Sequence, residues 1–189
     1  MTTWWWVRHG PTHRKDMNGS TDVPADLSDS AALLRLRQAL PAQASVLSSD
    51  LSRAVETANA IQGDRPRLPH DPALREIHFG AWEARSFAEV EAEDAPLIRE
   101  FWERPGDLAA PDGESWNGLS TRVSELVDTL CGQHEHIVAV AHFGPILTQL
   151  QRALGCSAYE VLGHKIDNLS LTRLRFDGAW HAEVINHVP

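Results

Sequence analysis

The sequence predicts an α/β fold with an open, mostly parallel sheet, and three observations carry that prediction. Three short apolar runs rich in β-branched and aromatic residues, Trp4-Trp5-Trp6-Val7, Val46 to Ser49 and Ile137 to Ala141, are strand-like. Helical patterns follow the second and third of them. A last pair of strand-like segments, Leu169 to Phe176 and Trp180 to Ile185, flanks Asp177-Gly178, a hairpin-turn dipeptide.

The elements can be justified in order. Trp4 to Val7 stops abruptly at Arg8-His9-Gly10, and Gly10 to Asp26, punctuated by Pro11, Gly19 and Pro24, reads as a loop long enough to line a pocket. Ser28 opens an amphipathic pattern through Leu33, Leu36 and Leu40 that ends near Pro41. Asp50 to Gln62 reads as the helix after the second strand, closed by Gly63. The region from about 67 to 112 carries Pro69, Pro72, Pro96, Pro105 and Pro111 around short helical pieces, one with a capping box at Ser86 and Glu89. It is read as a small cap-like insertion within one domain spanning 1–189. Trp116, Leu119, Val123, Leu126, Val127 and Leu130 share one helical face. Ile137 to Ala141 is apolar throughout, as a strand covered on both faces requires, and a helix from Pro145 to Leu154 follows.

Composition narrows the function. With 42% hydrophobic and 23% charged residues in 189, the chain is typical of a globular domain. A net charge of −9 argues against nucleic acid or an anionic membrane surface as partner, so an anionic ligand needs a local positive pocket. No run is long enough to span a bilayer, the amino terminus lacks signal-peptide features, and Cys131 and Cys156 have no metal or redox spacing. The expected setting is therefore cytoplasmic.

Ligands of open α/β sheets bind beyond the carboxyl ends of the strands. In a mostly parallel sheet, Arg8-His9, Arg53 in the first turn of its helix, and His142 converge at one such edge. Two guanidiniums and two imidazoles suit a phosphoryl group: Arg binds its oxygens in bidentate fashion, and an imidazole kept neutral by neighbouring cations can act as nucleophile. His142 then serves as a donor to the phosphate oxygens. Glu76, with a pKa raised beside a phosphate dianion, can protonate the leaving alkoxide and then activate water. The plainer alternatives are a capping His9, an Arg53 paired with Glu56, and Glu83, Asp112 or Glu114 in place of Glu76. His134-Glu135-His136 could be taken for metal ligands, but alternating polar residues at a strand entrance with no third partner predict no metal.

Taken together, Arg8-His9-Gly10, Ser48-Ser49-Asp50-Leu51-Ser52-Arg53-Ala54-Val55-Glu56-Thr57-Ala58, Leu74 to Gly80 with Trp82-Glu83, and His142 resemble the histidine phosphatase superfamily, in its phosphoglycerate-mutase-like branch. Asn168 to Thr172 and Asp177-Gly178 resemble its ending, so the resemblance covers essentially the whole chain. It implies a three-layer α/β/α sandwich, no cofactor or metal, His9 as the phospho-accepting nucleophile, Arg8, Arg53 and His142 as phosphate ligands, and Glu76 as proton donor. The implied activity is a phosphomonoesterase acting on a small phosphorylated metabolite through a phosphohistidine. A mutase and a non-catalytic phospho-ligand binder are the alternatives, and a homodimer is left open. Thr12 and Asn18 are the loop candidates for substrate contact. Gly19 to Pro24 resembles a loop of α-ribazole phosphatases. The chain departs from the family pattern at Pro11, at Lys15 where an Asn is usual, at Ala84 after Trp82-Glu83, and at Phe143, which interrupts a double Gly.

Overall fold

The computed structural model describes residues 1–189. The three apolar runs become β1 (Thr2–Arg8), β2 (Ser45–Ser48) and β3 (His136–Ala141), and the terminal pair becomes β4 (Leu171–Phe176) and β5 (Trp180–His187). They form one sheet in the order β2-β3-β1-β4-β5. β1 and β2 both lie parallel to β3, and β4 alone runs against the rest because β5 reverses again beside it.

Alternation along the strands loads both faces of the sheet. Trp4, Trp6, Ile137, Ala139, Ala141 and Leu174 face one core. Val7, Val138, Val140 and Leu171 face the other. The second face is covered by α1 (Ser30–Ala39) and α2 (Ser52–Gln62) through Leu33, Leu36, Ala54, Ala58 and Ile61. The first face is covered by α4 (Trp116–Leu130) and α5 (Phe143–Leu154) through Leu119, Val123, Val127, Ile146, Leu147 and Leu150. The architecture is thus a three-layer α/β/α sandwich. Trp4 and Trp6 are fully buried with rings stacked at 5.3 Å, and truncating either to Ala would cost about 3–5 kcal/mol.

The segment 67–112 contributes α3 (Phe87–Glu103), opened by the foreseen capping box at Ser86 and Glu89. The helix kinks at Asp94, whose carboxylate accepts from the Leu97 N–H, so the short pieces expected around Pro96 are two halves of one bent helix. Leu74, Ile77, Phe79, Trp82, Val90, Ile98 and Phe101 join the same core cluster as Trp4 and Ile137.

Helix starts differ from the sequence reading for identifiable reasons. α1 begins at Ser30 rather than Ser28 because Asp29 is the cap, accepting from the Ala32 N–H, while Asp26 accepts from the Ser28 N–H. α2 begins at Ser52 because its cap is supplied across space: Asp22 Oδ1 accepts from the Ser52 N–H at 2.8 Å and from its hydroxyl at 2.7 Å. α5 begins at Phe143, with Pro145 still inside the first turn, where its missing N–H has no helical partner to lose. A short α6 (Ala158–Leu162) was not foreseen, although Ser157 and Glu160 form a complete capping box.

Candidate active site

The register of the parallel strands decides where the site lies. Arg8 pairs with Ala141, and Ser48 pairs with Val140, so three adjacent strands end level with one another. His9 and His142 each stand one residue beyond a strand end, and their rings lie 5.0 Å apart. Arg53 reaches the same place from the first turn of α2. The structure therefore brings together Arg8, His9, Arg53 and His142 in a cluster whose net positive charge contrasts with the overall −9.

Hydrogen bonds fix the protonation pattern of both imidazoles. His9 Nδ1 lies 2.7 Å from the Gly10 carbonyl oxygen, which can only accept, so Nδ1 carries the hydrogen and Nε2 keeps its lone pair. His142 Nδ1 accepts from Arg53 Nε at 3.2 Å. Its proton therefore sits on Nε2, which is buried and has no partner. Burial pushes the His9 pKa down to about 3, with the Arg53 and Arg8 guanidiniums adding to the effect. His142 is held well below its ordinary value, again by burial first and then by His9, Arg53 and its other cationic neighbours. The sequence reading assigned the lowering at His9 to the guanidiniums; burial is the larger cause.

Each guanidinium is pinned by part of its donor set, leaving the remainder for a ligand. Arg53 donates through Nη1 to the Thr21 carbonyl at 2.8 Å and through Nη2 to the Gly19 carbonyl at 2.6 Å. Each terminal nitrogen keeps one further N–H. Arg8 donates to the Ile166 carbonyl at 2.6 Å, its Nε is buried without a partner, and its guanidinium lies 5.5 Å from the Phe143 ring. A buried orphan donor costs about 1–3 kcal/mol, so this cluster is poised to gain from an oxyanion.

Glu76 lies against the start of α5. Its carboxylate accepts from the Gly144 N–H at 2.9 and 3.2 Å and from the Ile77 N–H at 3.0 Å. Burial raises its pKa and outweighs these hydrogen bonds and the pull of Arg53 and Arg8. Low dielectric, rather than the like charge of a phosphate invoked from sequence, is the larger cause of the upward shift. Gly144 is needed for space: a Cβ there would collide with Glu76 Oε1.

Three supports escaped the sequence reading. Glu83, weighed there only as another nearby carboxylate, accepts from the backbone N–H groups of Gly19, Ser20, Thr21 and Phe79 and from the Ser20 and Thr21 hydroxyls. It thereby holds the two carbonyls that Arg53 grips. Asn168 donates to the His9 carbonyl at 2.8 Å. Thr57 accepts from the Gly10 N–H at 2.9 Å, tying the His9 loop to α2. All three stood inside motifs that the sequence had singled out, but no local pattern marked their partners.

Thr12 lines a polar cleft with Arg8, His9, Lys15 and Asn168. Asn18 precedes Gly19, and its Oδ1 is buried without a partner. His134 and His136 face different groups, Ser45 Oγ at 3.1 Å and Trp5 Nε1 at 3.4 Å. No group of three or more His, Cys, Asp or Glu side chains is arranged to hold a metal ion. No helix is long and apolar enough to cross a membrane.

Comparison with known proteins gives a consistent result. Residues 4–187 match the family model described as histidine phosphatase superfamily (branch 1). A glucosyl-3-phosphoglycerate phosphatase of Mycolicibacterium vanbaalenii is 35% identical over 86% of this chain and 75% of its own length. The adenosylcobalamin/alpha-ribazole phosphatase of Escherichia coli is 32% identical over 75% of this chain and 66% of its own. Among solved structures, Bacillus stearothermophilus YhfR superposes with a TM-score of 0.90 at 28% identity, covering 100% of this chain and 98% of that one. Some mycobacterial relatives are longer, and the chain spans 40% of their length.

Proposed function

The chain belongs to the histidine phosphatase superfamily (branch 1), and from that premise we propose that it hydrolyses the phosphomonoester of a small metabolite through a phosphohistidine formed on His9. The observation that carries this reading is the Nδ1–H contact of His9 with the Gly10 carbonyl, which leaves Nε2 unprotonated on a ring that feels the Arg8 and Arg53 charges.

In the first half-reaction the Nε2 lone pair attacks phosphorus in line with the ester oxygen. The free N–H groups of Arg8 and Arg53 and the Nε2–H of His142 receive the equatorial oxygens as charge spreads over them. The P–O ester bond breaks while the Glu76 carboxyl gives its proton to the departing oxygen, so an alcohol leaves. The Gly10 carbonyl stabilises the positive charge that the phosphorylated ring acquires. In the second half-reaction Glu76, now a carboxylate, takes a proton from water. The oxygen of that water attacks phosphorus, the N–P bond breaks, and inorganic phosphate departs with Glu76 reprotonated. Two unpaired thiols, Cys131 and Cys156, support a reducing, cytoplasmic setting.

Hydrolysis of a chromogenic aryl phosphate in the presence of a chelator tests the reading. The protein turns the ester over, His9→Ala does not, and a rapid acid-labile, base-stable phosphoryl adduct maps to position 9. Undiminished turnover by His9→Ala, or an adduct elsewhere, overturns it.

A further inference from the structure

Glu76 borders a second feature that the chemistry above leaves unused. Beside its carboxyl and Gly144 lies a cavity of about 50 Å³ walled by Phe79, Phe101, Trp102, Leu108, Phe143 and Leu162. Phe101 is buried in the core, whereas Trp102, Leu108, Phe143 and Leu162 are partly exposed at its edge. The aromatic walls brace one another: Phe101 meets Trp102 edge-on at 5.0 Å, and Phe79 lies 6.1 Å from Trp102. Phe143 links this slot to the phosphate cluster, since the Arg8 guanidinium lies against its ring. A slot so lined has Glu76 as its single ionisable group.

The leaving oxygen of a bound ester must lie within hydrogen-bond reach of Glu76, so the carbon attached to it enters a space that touches Glu76. The slot is one such space, and a second also borders Glu76. This second space is a polar hollow edged by Arg75, Arg122, Asp112 and Glu114. Its cations are already satisfied, Arg75 by Asp50 at 2.6 and 2.7 Å and Arg122 by Glu114 at 2.7 and 2.8 Å. They offer an anionic or polyol group little that their present partners do not already hold. The apolar slot has no such competitor, and filling it recovers dispersion contacts that its facing aromatic walls now lack.

We propose that the apolar slot beside Glu76 receives the carbon skeleton of the leaving alcohol, which makes the enzyme selective for phosphomonoesters of alkyl or aryl alcohols over those of sugars and other polyols. The proposal rests on the assignment of His9 and Glu76 above. It is tested by a readout that does not depend on turnover. Calorimetric titration with methyl-, ethyl-, propyl- and butylphosphonate, which share the phosphoryl head and cannot be hydrolysed at carbon, should show affinity rising about fourfold per methylene until the slot is full. The kcat/KM values of the matching alkyl phosphates should rise in parallel and exceed that of glycerol phosphate. Leu162→Trp, which fills the slot from its edge, should flatten both series, with thermal unfolding confirming a folded protein. Affinity that is flat with chain length, or a preference for glycerol phosphate, overturns the slot assignment. A phosphonate series that rises in a protein unable to hydrolyse any ester supports the slot and overturns the phosphatase reading.

Discussion

Lowering the pH should unfold this protein in a way traceable to His9. Its side chain is 6% exposed, and burial holds its pKa at about 3 against 6.5 in the unfolded chain. Between those values the unfolded state binds a proton that the native imidazole refuses, so stability falls as pH falls from 6.5 toward about 3. Integrating this linkage from neutral pH to about pH 5 gives a loss of about 2 kcal/mol from His9 alone. His142 acts in the same direction, because its own pKa is also depressed. The measurement is urea unfolding in phosphate-free buffer at about pH 7.5 and pH 5, for the natural chain and for His9→Asn, whose amide can still donate to the Gly10 carbonyl. The variant should lose about 2 kcal/mol less on acidification than the natural chain. Equal losses in the two proteins would show that His9 accepts a proton in the folded state, and the argument for a neutral nucleophile would fail with it. The same depression places the acid limb of kcat/KM well below pH 6.5, since that limb reports ionisation in the free enzyme.

Other perturbations isolate the supports of the site. Glu83→Ala strips the acceptor from four backbone N–H groups and two hydroxyls, so stability should drop by about 3 kcal/mol and kcat for an aryl phosphate by about a hundredfold as the carbonyls under Arg53 drift. Loss of stability with kcat and phosphate inhibition intact would deny Glu83 any part in placing Arg53. Gly144→Ala drives a methyl into Glu76 Oε1 and within 2.9 Å of Leu119 Cδ2, which should reduce turnover of alkyl phosphates far more than of p-nitrophenyl phosphate, whose leaving group needs no proton. An equal loss for both esters would argue against proton donation by Glu76. Ala84 has φ of +59°, a conformation in which its methyl is strained, so Ala84→Gly should stabilise by about 1 kcal/mol and raise Tm by about 2–4 °C in a calorimetric scan.

The parts of the site legible in the sequence are those set by strand ends. Arg8, His9 and His142 follow apolar runs directly, and once the runs pair in parallel with level termini their convergence follows. The fold was legible for the same reason: period-two and period-3.6 patterns report which face is buried. What escaped is held by contacts between distant segments. Asp22 caps α2 from thirty residues away, and Glu83 gathers a loop more than sixty residues earlier in the chain. Neither leaves a local pattern. α6 is a different case, because its Ser157 to Glu160 capping box was readable but the helix has only 5 residues and little apolar period. The causes of the pKa shifts were misjudged because charge can be read along a chain, whereas the depth of a loop residue beneath its neighbours cannot.

That correction changes how the two proposed catalytic roles are understood. A nucleophile that must be unprotonated and an acid that must be protonated would oppose each other if charge alone set them: guanidiniums that depress the His9 pKa depress that of Glu76 as well. Burial acts against the charged form of each, so it lowers the imidazole and raises the carboxyl together. One apolar environment thereby opens a pH window, bounded below by about 3, in which both residues hold the state that phosphoryl transfer requires. Phe143 belongs to this arrangement, for it stands between Arg8 and the apolar slot beside the buried Glu76. Replacing it by the Gly usual in the family would admit water on the Glu76 side. The carboxyl pKa should then fall, and the alkaline limb of kcat/KM should move to lower pH while the acid limb set by His9 stays in place. A Phe143→Gly profile with the alkaline limb unmoved would show that Glu76 owes its protonation to something other than this wall.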